Sequence, residues 1–342
     1  MKPHPEMTGK KLPGSFIAKF LQQLAVPLAI LMGIWGAGIA NAAADDYPVR
    51  PVTVIVAFTP GGSTDTLTRM VSARLSAQLG KNFLVENKPG AGGNIGTEFV
   101  VRSQPDGYTL IVNSVGPIAV NPTLYKKLPF NPLTDLDPIV QIAEVPNVLV
   151  VAASSNITSP KDLVAKGKAK PAGLNYGSTG IGTASHLSSF MMTKHDNLKA
   201  THLPYKGADA IIDLLSGKID FMFATIPSVI GHIKSGKLTA IAVNSAKRSK
   251  SLPNVPTMVE SGYPGFEASA WFGFFGPKGT PKAVVAKLNK AVIAVIKEPE
   301  IEKKMVAEGA DPAGGSPEQF KSFIAKEFKK WQAVVKESGA SE

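Results

Sequence analysis

The sequence alternates short β-branched apolar runs with glycine-rich turns and helical patterns. In the first unit, the run Val52–Phe58 precedes the turn Pro60-Gly61-Gly62, and a helical stretch ending at Gly80 follows. The apolar residues of that stretch fall on one helix face: Leu67, Met70, Val71, Leu75 and Leu79. Strands Phe83–Glu86 and Tyr108–Val112 continue the alternation. This pattern is typical of an α/β fold built on parallel sheets.

A second series of strands and helices runs from Val148–Ala152 to Leu238–Val243. The stretch Trp271–Phe275 then reads as one more strand, and Pro281–Ser338 as three helices. We expect the chain to leave the first sheet near residue 145 and to return near residue 270. The predicted lobes are therefore 43–144 with 271–342, and 145–270, each with a doubly wound sheet. Two crossings form a hinge with a cleft, where ligands usually bind.

The N-terminus predicts export. Four lysines precede an apolar run, Phe20–Ala40, and small residues follow at Ala40-Asn41-Ala42. This is the pattern of a secretory signal peptide over residues 1–42, cleaved near Ala42, which indicates a periplasmic protein. The alternative is a membrane anchor, because the run borders on spanning length, although no basic cluster follows it.

Composition excludes several functions. The chain has no cysteine, so disulfides, thiolate metal sites and cysteine nucleophiles are absent. Its net charge of +11 comes from scattered lysines without a basic-aromatic stripe, which argues against nucleic-acid binding. The histidines at 186, 195, 202 and 232 lack metal-pair spacing, so neither a metal nor a cofactor is predicted.

Four predicted turns are rich in glycine or hydroxyl residues: 60–65, 90–93, 113–116 and 177–183. In open parallel sheets, such turns lie at the carboxyl ends of the strands, where ligands bind. Glycines let backbone N–H groups approach an anion, and the helix that follows adds its positive end. A single turn of this kind is often only a tight turn, but four together predict an anion-binding cleft.

Several residues keep two interpretations. Asp65 either receives a ligand ammonium or hydroxyl group, or serves the N-terminus of its helix, and the helix role is slightly favoured. Lys206 is the one cation near the predicted cleft turns, although a surface position is the commoner case. Phe58, Phe221 and Phe223 are candidates for an apolar pocket, but alternating strand residues more often form core.

An enzyme would need a nucleophile such as Ser114 or Ser178 with a base such as His186 within about 3.2 Å. The turn around Ser178 lacks the leading glycine of a nucleophile elbow, and no Walker lysine or complete dinucleotide fingerprint is present. The sequence therefore predicts a protein without catalytic residues.

Ordered motifs along the chain resemble those of a known family. In the first half these are Tyr47-Pro48, the turn 60–65, the stretch 86–93 and the stretch 105–110. The motifs continue in the second half with GIGT at 180–183, PYKG at 204–207, GKID at 217–220, LPNVPT at 252–257 and GPKGTP at 276–281. Over essentially the whole mature chain, they resemble the Bug family, the substrate-binding proteins of tripartite tricarboxylate transporters.

The resemblance implies a type II periplasmic binding protein, or Venus flytrap, with a ligand carboxylate held between the lobes. It places ligand contacts in the first lobe on Pro60, Gly62, Asp65, Ala91, Gly92 and Ser114. In the second lobe it places them on Ser178, Thr179, Thr183, Tyr205 and Ala224. Family members bind amino acids, dicarboxylates, aromatic acids or nicotinate-type compounds, so the motifs do not name the ligand.

The resemblance also implies partners. The protein is expected to be a monomer that captures a small organic acid or amino acid and delivers it to membrane transporter subunits. The alternative is a sensor that presents the same ligand to a two-component receptor. Sequence alone does not separate these two roles.

Overall fold

A computed structural model describes Met1 and residues 46–205 and 209–341. The predicted signal peptide with its cleavage site near Ala42, and Lys206, lie outside the described residues. The chain divides into two compact units, Met1–Tyr47 and Pro48–Glu342, and the description below concerns the second. Within the described residues, we find no helix whose length and apolar character would let it cross a membrane.

Six strands form the first sheet, in the order β11-β4-β10-β3-β1-β2. Strand β1 pairs in parallel with β2 and β3, whereas β10 runs antiparallel to β3 and β4, and β11 runs antiparallel to β4. The sheet is thus mixed and not purely parallel. The bounds are β1 Val52–Val56, β2 Phe83–Asn87, β3 Thr109–Ser114, β4 Leu136–Val145, β10 Ala270–Pro277 and β11 Asp311–Gly314.

The second sheet has five strands in the order β7-β6-β8-β5-β9. Strand β6 pairs in parallel with β7 and β8, and β5 lies antiparallel to β8 and β9. The bounds are β5 Asn147–Ala152, β6 Leu174–Ser178, β7 Ala200–Pro204, β8 Phe221–Thr225 and β9 Leu238–Val243. Residues at the carboxyl ends of β6 and β8 line the site described below.

Helices cover the faces of both sheets. Those that border the site follow β1, β6 and β8: α1 Ser63–Leu79, α5 Ala184–His195 and α7 Ile226–Lys234. The others are α2 Asn94–Val101, α3 Asn121–Leu124, α4 Pro160–Ala169, α6 Asp209–Leu215, α8 Lys282–Ile296, α9 Pro299–Ala307 and α10 Pro317–Ser338. The three helices expected after residue 281 are present as α8, α9 and α10, with β11 between the last two.

Buried amides tie the sheets together where the chain crosses between them. The chain passes from β4 to β5 between Val145 and Asn147, and it returns between Val243 and Ala270. Fully buried Asn244 accepts from the Asn147 N–H (2.8 Å) through Oδ1, and its Nδ2 donates to the Ala268 carbonyl (2.8 Å). Both crossing segments are therefore held by one side chain. The predicted lobe boundaries at residues 145 and 270 stay a prediction.

Candidate functional site

A cavity of about 550 Å³ lies between the two sheets, and residues from both lobes line it. Each of the four glycine-rich turns predicted from the sequence contributes to its wall. The lining residues are Phe58, Thr59, Gly62, Ser63, Thr64, Gly92, Ser114, Val115, Gly116, Leu124, Tyr125, Asn147, Thr179, Ile181, Gly182, Thr183, Ala184, Ser185, Thr225, Ala270 and Phe272.

Three helices begin at the cavity. Ser63 and Thr64 occupy the first turn of α1, Ala184 and Ser185 that of α5, and Thr225 is the N-cap of α7. The first turn of a helix carries unpaired N–H groups and a partial positive charge. Three such ends at one cavity from two lobes make the site electropositive without a charged side chain, which suits an anion.

Asp65 holds the first-lobe turn, which spans residues 59–65. Its Oδ2 accepts from the Gly61 N–H (3.0 Å), its Oδ1 accepts from Asn87 Nδ2 (2.9 Å), and Arg69 Nε lies 3.0 Å from both oxygens. Burial raises the pKa of the Asp65 carboxyl, but the Arg69, Gly61 and Asn87 hydrogen bonds together bring that pKa below its usual value. Asp65 is thus an ionised carboxylate, and its hydrogen bonds fix the conformation of the turn.

Gly92 sits where a side chain would not fit. Its φ is +61°, and an added Cβ would lie 2.9 Å from Tyr125 Oη and 3.2 Å from Asn121 Nδ2. Asn121 Nδ2 donates to the Gly92 carbonyl (3.0 Å) and to Asn94 Oδ1 (2.7 Å), so the turn is anchored on α2 and α3. Glycine is required here both by backbone conformation and by the side chains beside it.

Neutral groups hold the second-lobe turn, which spans residues 178–183. Ser178 Oγ lies 2.7 Å from His202 Nε2 and donates to the Gly180 carbonyl (3.0 Å). The rings of His202 and His186 stack with centroids 3.9 Å apart, and Gly182 N–H donates to His186 Nδ1 (3.2 Å). Burial, together with the charge that His202 can carry, lowers the pKa of His186 to about 4. His186 is therefore neutral near pH 7.

The two lobes touch at the cavity. An added Cβ on Gly182, in the second lobe, would lie 2.5 Å from Cδ2 of Leu124, which belongs to α3 of the first lobe. Leu124 is only 3% exposed, so it has little room to move away. The φ of +71° at Gly182 also disfavours any side chain. Approach of the lobes at this point depends on glycine.

The hydroxyls facing the cavity differ in what they already bind. Thr183 caps α5 by accepting from the His186 N–H (3.3 Å) and donates to the Gly180 carbonyl (2.8 Å), and Ser185 donates to the Phe223 carbonyl. Other lining hydroxyls make no hydrogen bond to any residue that the structure describes: Thr59, Ser63, Thr64, Ser114 and Thr179. These hydroxyls remain available to a ligand in the cavity.

The ligand contacts that the family resemblance predicts fall into two groups: residues that line the cavity and residues that do not. Gly62, Gly92, Ser114, Thr179 and Thr183 line the cavity. The cavity wall does not include Pro60, Asp65, Ala91, Ser178, Tyr205 or Ala224. Of the aromatic candidates, Phe58 lines the cavity, whereas Phe221 and Phe223 are fully buried.

Residues of the second group lie around the cavity without lining it, and several of them make contacts elsewhere. Pro60 and Ala91 are exposed on their turns, and Ala224 pairs with Val148 inside the second sheet. Tyr205 Oη donates to Asp213 Oδ2 (2.8 Å), and Ser178 is fully buried beneath its own turn. The Asp65 oxygens are taken by Arg69, Asn87 and the Gly61 N–H, so Asp65 stabilises the turn before α1, and its predicted ligand and helix-terminus roles stay predictions.

Sequence reasoning missed lining residues that lie outside the glycine motifs. Leu124 and Tyr125 come from α3, Asn147 from the crossing, and Ala270 and Phe272 from β10. Thr225 was detectable as a hydroxyl followed by Ile226-Pro227, a recognisable helix start at the end of a strand. Leu124 and Phe272 had no local signal, because an apolar residue at these positions is equally typical of a core.

The arrangement of Ser178 argues against nucleophilic catalysis. A histidine does lie within hydrogen-bond reach, but it is His202 and not the expected His186. Ser178 is 0% exposed and does not line the cavity, so a substrate in the cavity does not reach its Oγ. Among the described residues, no cluster of three or more metal-ligating side chains occurs either.

A larger hollow of about 840 Å³ lies on the first lobe, beside Leu136, Lys278 and Asn289. Residues of that lobe alone line it, and it lies away from the glycine-rich turns. Lys278 is paired there with Asp137 at 2.9 Å. The smaller cavity between the lobes is therefore the candidate site, because the helix ends and unpaired hydroxyls converge on it.

Comparison with known proteins identifies the family. Residues 67–340 match the family described as the tripartite tricarboxylate transporter family receptor. The chain belongs to this family. BugT of Bordetella pertussis is 39% identical over 307 residues, which cover 89% of this chain and 94% of BugT. The predicted Bug relationship is confirmed.

Solved structures of similar proteins share the fold. A Rhodopseudomonas palustris protein solved with adipate is 35% identical, with a TM-score of 0.76 over 86% of this chain and 99% of that one. MatC from the same species, with bound malate, is 31% identical, with a TM-score of 0.72 over 84% and 100%. The periplasmic binding protein BugD is 37% identical, with a TM-score of 0.72 over 86% and 99%.

These likenesses confirm the two-lobed α/β fold expected from the sequence. The family consists of periplasmic solute-binding receptors, so this receptor is a binding protein and not an enzyme.

Proposed function

We propose that this receptor captures a small carboxylate-bearing molecule in the cavity between its lobes and passes it to the membrane subunits of a tripartite transporter. One observation carries the proposal: unpaired hydroxyls face a cavity at which three helices begin. These hydroxyls belong to Ser63, Thr64, Ser114 and Thr179. Adipate and malate in the structures of two relatives support a carboxylate as the cargo.

The residues have different roles in this proposal. Gly62 and Gly92 bring backbone close to the carboxylate, and Ser114 and Thr179 donate hydrogen bonds from opposite lobes. Thr183 shapes the turn and contributes at the cavity edge. Asp65, Ser178 and Tyr205 hold the surrounding elements through their hydrogen bonds, and Ala224 pairs within the second sheet, whereas Pro60 and Ala91 lie exposed on their turns.

Hydrogen bonds from hydroxyl groups can supply the free energy of micromolar carboxylate binding. A hydrogen bond to a charged group contributes about 1.5 to 3 kcal/mol, so three or four of them approach the roughly 8 kcal/mol of a micromolar dissociation constant. The ordering of side chains and closure of the lobes subtract from this sum. Affinity in the micromolar range is therefore within reach of this site.

The finer assignments belong to the same proposal. The lobes comprise 43–144 with 271–342, and 145–270, with the Asn244 crossing as the hinge between them. The protein acts as a monomer in the periplasm after cleavage near Ala42. Sequencing the N-terminus of the exported protein tests the cleavage site, and an intact Met1 would contradict it.

Thr179→Val tests the site directly. The substitution removes one hydroxyl while keeping side-chain size, so we expect a ten- to hundredfold weaker carboxylate affinity in calorimetry. Thr201→Val is the matched control, because Thr201 is an exposed strand residue outside the cavity. Unchanged affinity in Thr179→Val would remove this hydroxyl from the site, and folded wild-type protein that binds no carboxylate would overturn the proposed function.

A further inference from the structure

Asn147 lines the cavity at the point where the chain crosses between the two sheets. It pairs with Thr225 at the end of β8, and Val145, two residues earlier, pairs with Ala270 at the start of β10. Thr225 and Ala270 also line the cavity. Asn147 therefore belongs to the part of the wall that the crossing segments form, and not to any of the glycine-rich turns.

Main-chain hydrogen bonds fix the position of Asn147. Its N–H donates to Asn244 Oδ1 (2.8 Å), and its carbonyl accepts from the Asn244 N–H (2.9 Å). Asn244 is itself fully buried, and its Nδ2 donates to the Ser188 hydroxyl (3.0 Å) and to the Ala268 carbonyl (2.8 Å). Because these bonds use only the main chain of Asn147, they hold the residue in place and leave its side-chain amide free.

The side-chain amide of Asn147 is buried and unpaired. The residue is only 2% exposed, yet its Oδ1 and Nδ2 make no hydrogen bond to any residue that the structure describes. Among the described side chains, the one fully enclosed polar atom without a partner is Ser72 Oγ, so the amide of Asn147 opens onto the cavity. Buried polar groups are almost always hydrogen-bonded. This amide therefore needs a partner that enters the cavity.

Asn113 shows how a buried asparagine with a structural role differs. It is 0% exposed, its Nδ2 donates to Thr97 Oγ1 (2.7 Å), and its Oδ1 accepts from the Ser114 N–H (3.0 Å). Both ends of that amide are thus satisfied by protein, and Asn113 does not line the cavity. Asn147 has neither end satisfied and does line the cavity, which indicates a role toward the ligand.

The chemistry of the amide selects the ligand group that suits it. An amide offers an acceptor at Oδ1 and donors at Nδ2. A carboxylate only accepts, so it would bring a negative oxygen toward Oδ1, and an ammonium group only donates, so it would leave Nδ2 unpaired. A hydroxyl group can donate to Oδ1 or accept from Nδ2, and it brings no further charge to be buried.

We infer that Asn147 binds the ligand through its amide and makes the receptor prefer carboxylates that carry a hydroxyl group over the same acids without one. The inference rests on the proposed function, because the helix ends and hydroxyls hold the carboxylate in the same cavity. The carboxylate and the hydroxyl of the ligand thus contact different parts of the wall. An acid without the hydroxyl leaves the buried amide unpaired, which weakens its binding.

Acids that differ by one substituent test the inference. The full chain is expressed with its own N-terminal segment, purified, freed of bound ligand by unfolding and refolding, and titrated calorimetrically at pH 7.5. The pairs are propionate with lactate, succinate with malate, and benzoate with 4-hydroxybenzoate, and aspartate serves as the ammonium analogue of malate. We expect the hydroxy acid of at least one pair to bind about tenfold more tightly than its parent acid, or better.

Asn147→Leu and Asn147→Ala test whether the amide causes this preference. Both keep the main-chain bonds to Asn244, leucine preserves the branched shape of asparagine, and alanine avoids any steric conflict. We expect the preference for the hydroxy acid to fall below about threefold in both variants, because the amide is its source, while affinity for the parent acid stays within about threefold of the wild type.

Protein stability distinguishes a ligand contact from a structural residue. No protein hydrogen bond is lost in Asn147→Leu, so we expect its urea midpoint to equal or exceed that of the wild type. Asn113→Leu is the matched control, because it leaves Thr97 and the Ser114 N–H without their partner, and its midpoint should fall. Failure of both Asn147 variants to fold would show that the amide is structural and would overturn the inference.

The binding outcomes separate this inference from the proposed function. Parent acids that bind as tightly as their hydroxy derivatives in every pair, or a preference that both variants retain, would overturn the role of Asn147 and leave the carboxylate receptor intact. Tighter binding of aspartate than of malate would replace the hydroxyl by an ammonium group as the partner. If the folded wild type binds none of these acids, the inference fails, and a wider carboxylate screen decides the proposed function.

Discussion

The turns 59–65 and 178–183 face each other across the cavity, but they are held by opposite chemistry. The first is fixed by the ionised Asp65, which binds Arg69, Asn87 and the Gly61 N–H. The second is fixed by Ser178, His202 and His186, which are neutral. One turn therefore depends on a charge being present, and the other depends on a charge being absent.

This difference gives the turns different responses to acid. The pKa of Asp65 lies below its usual value, so its contribution to stability persists above pH 3.8 and is lost as pH falls further, through the lowered folded-state pKa. His186 has a pKa of about 4 in the folded chain and 6.5 when exposed, so its contribution is lost between these values as the unfolded chain takes up a proton. The second-lobe turn should weaken first.

Acidification from pH 6.5 to 4 should give the largest effect. A difference of about 2.5 pKa units corresponds to about 3 kcal/mol of unfolding free energy contributed by His186 alone. Burial also lowers the pKa of His202, which adds in the same direction, and burial raises the pKa of Tyr176 to about 12, so that neighbour stays neutral. Urea unfolding at a series of pH values measures the loss.

His186→Asn provides the matched control for this pH effect. Asparagine Oδ1 takes the place of His186 Nδ1 and keeps an acceptor for the Gly182 N–H, but it does not titrate. We expect the variant to lose about 3 kcal/mol less than the wild type between pH 6.5 and 4. Identical pH profiles would show that the ring pair does not couple protonation to stability.

Removal of the carboxylate in Asp65→Ala should give the next largest effect. Breaking a buried ion pair costs about 3 to 5 kcal/mol, but Arg69 is half exposed, so we expect a loss of about 2 kcal/mol. Glu300→Ala is the control, because its pair with Lys304 is exposed and contributes little to stability. The unfolding free energies of both variants at pH 7 make the comparison. Equal losses would mean that Asp65 is no more than a surface ion pair.

The turns were predictable because their signals are local, whereas their supports were not. Glycine and hydroxyl residues at the end of an apolar run mark Gly62, Gly92 and Thr179 within a few positions. The side chains that hold the turns come from elsewhere, since Asn87 lies 22 residues from Asp65, and His202 lies 24 residues from Ser178. Such pairings follow from the order of the strands, which the sequence pattern does not specify.

Pairing between distant segments also limited what the sequence could predict about the fold. Strand β4 was not predicted, because Asp137, Pro138 and Gln141 interrupt its apolar pattern. It exists because it pairs with β10, more than a hundred residues later, with two shifts in register that accommodate the irregular sequence. Strand β10, which follows the return of the chain from the second lobe, runs antiparallel to β3, and propensity alone could not show this direction.

Removal of the Ser178 hydroxyl should give the smallest effect and tests how the neutral turn is held. Ser178→Ala deletes the hydrogen bonds that Oγ makes with His202 and with Gly180, and it leaves a small buried space. We expect a loss of about 1 to 2 kcal/mol in unfolding free energy at pH 7. Because Ser178 does not line the cavity, ligand affinity should change far less than in Thr179→Val. An affinity loss as large as that of Thr179→Val, with stability unchanged, would instead make Ser178 a direct ligand contact.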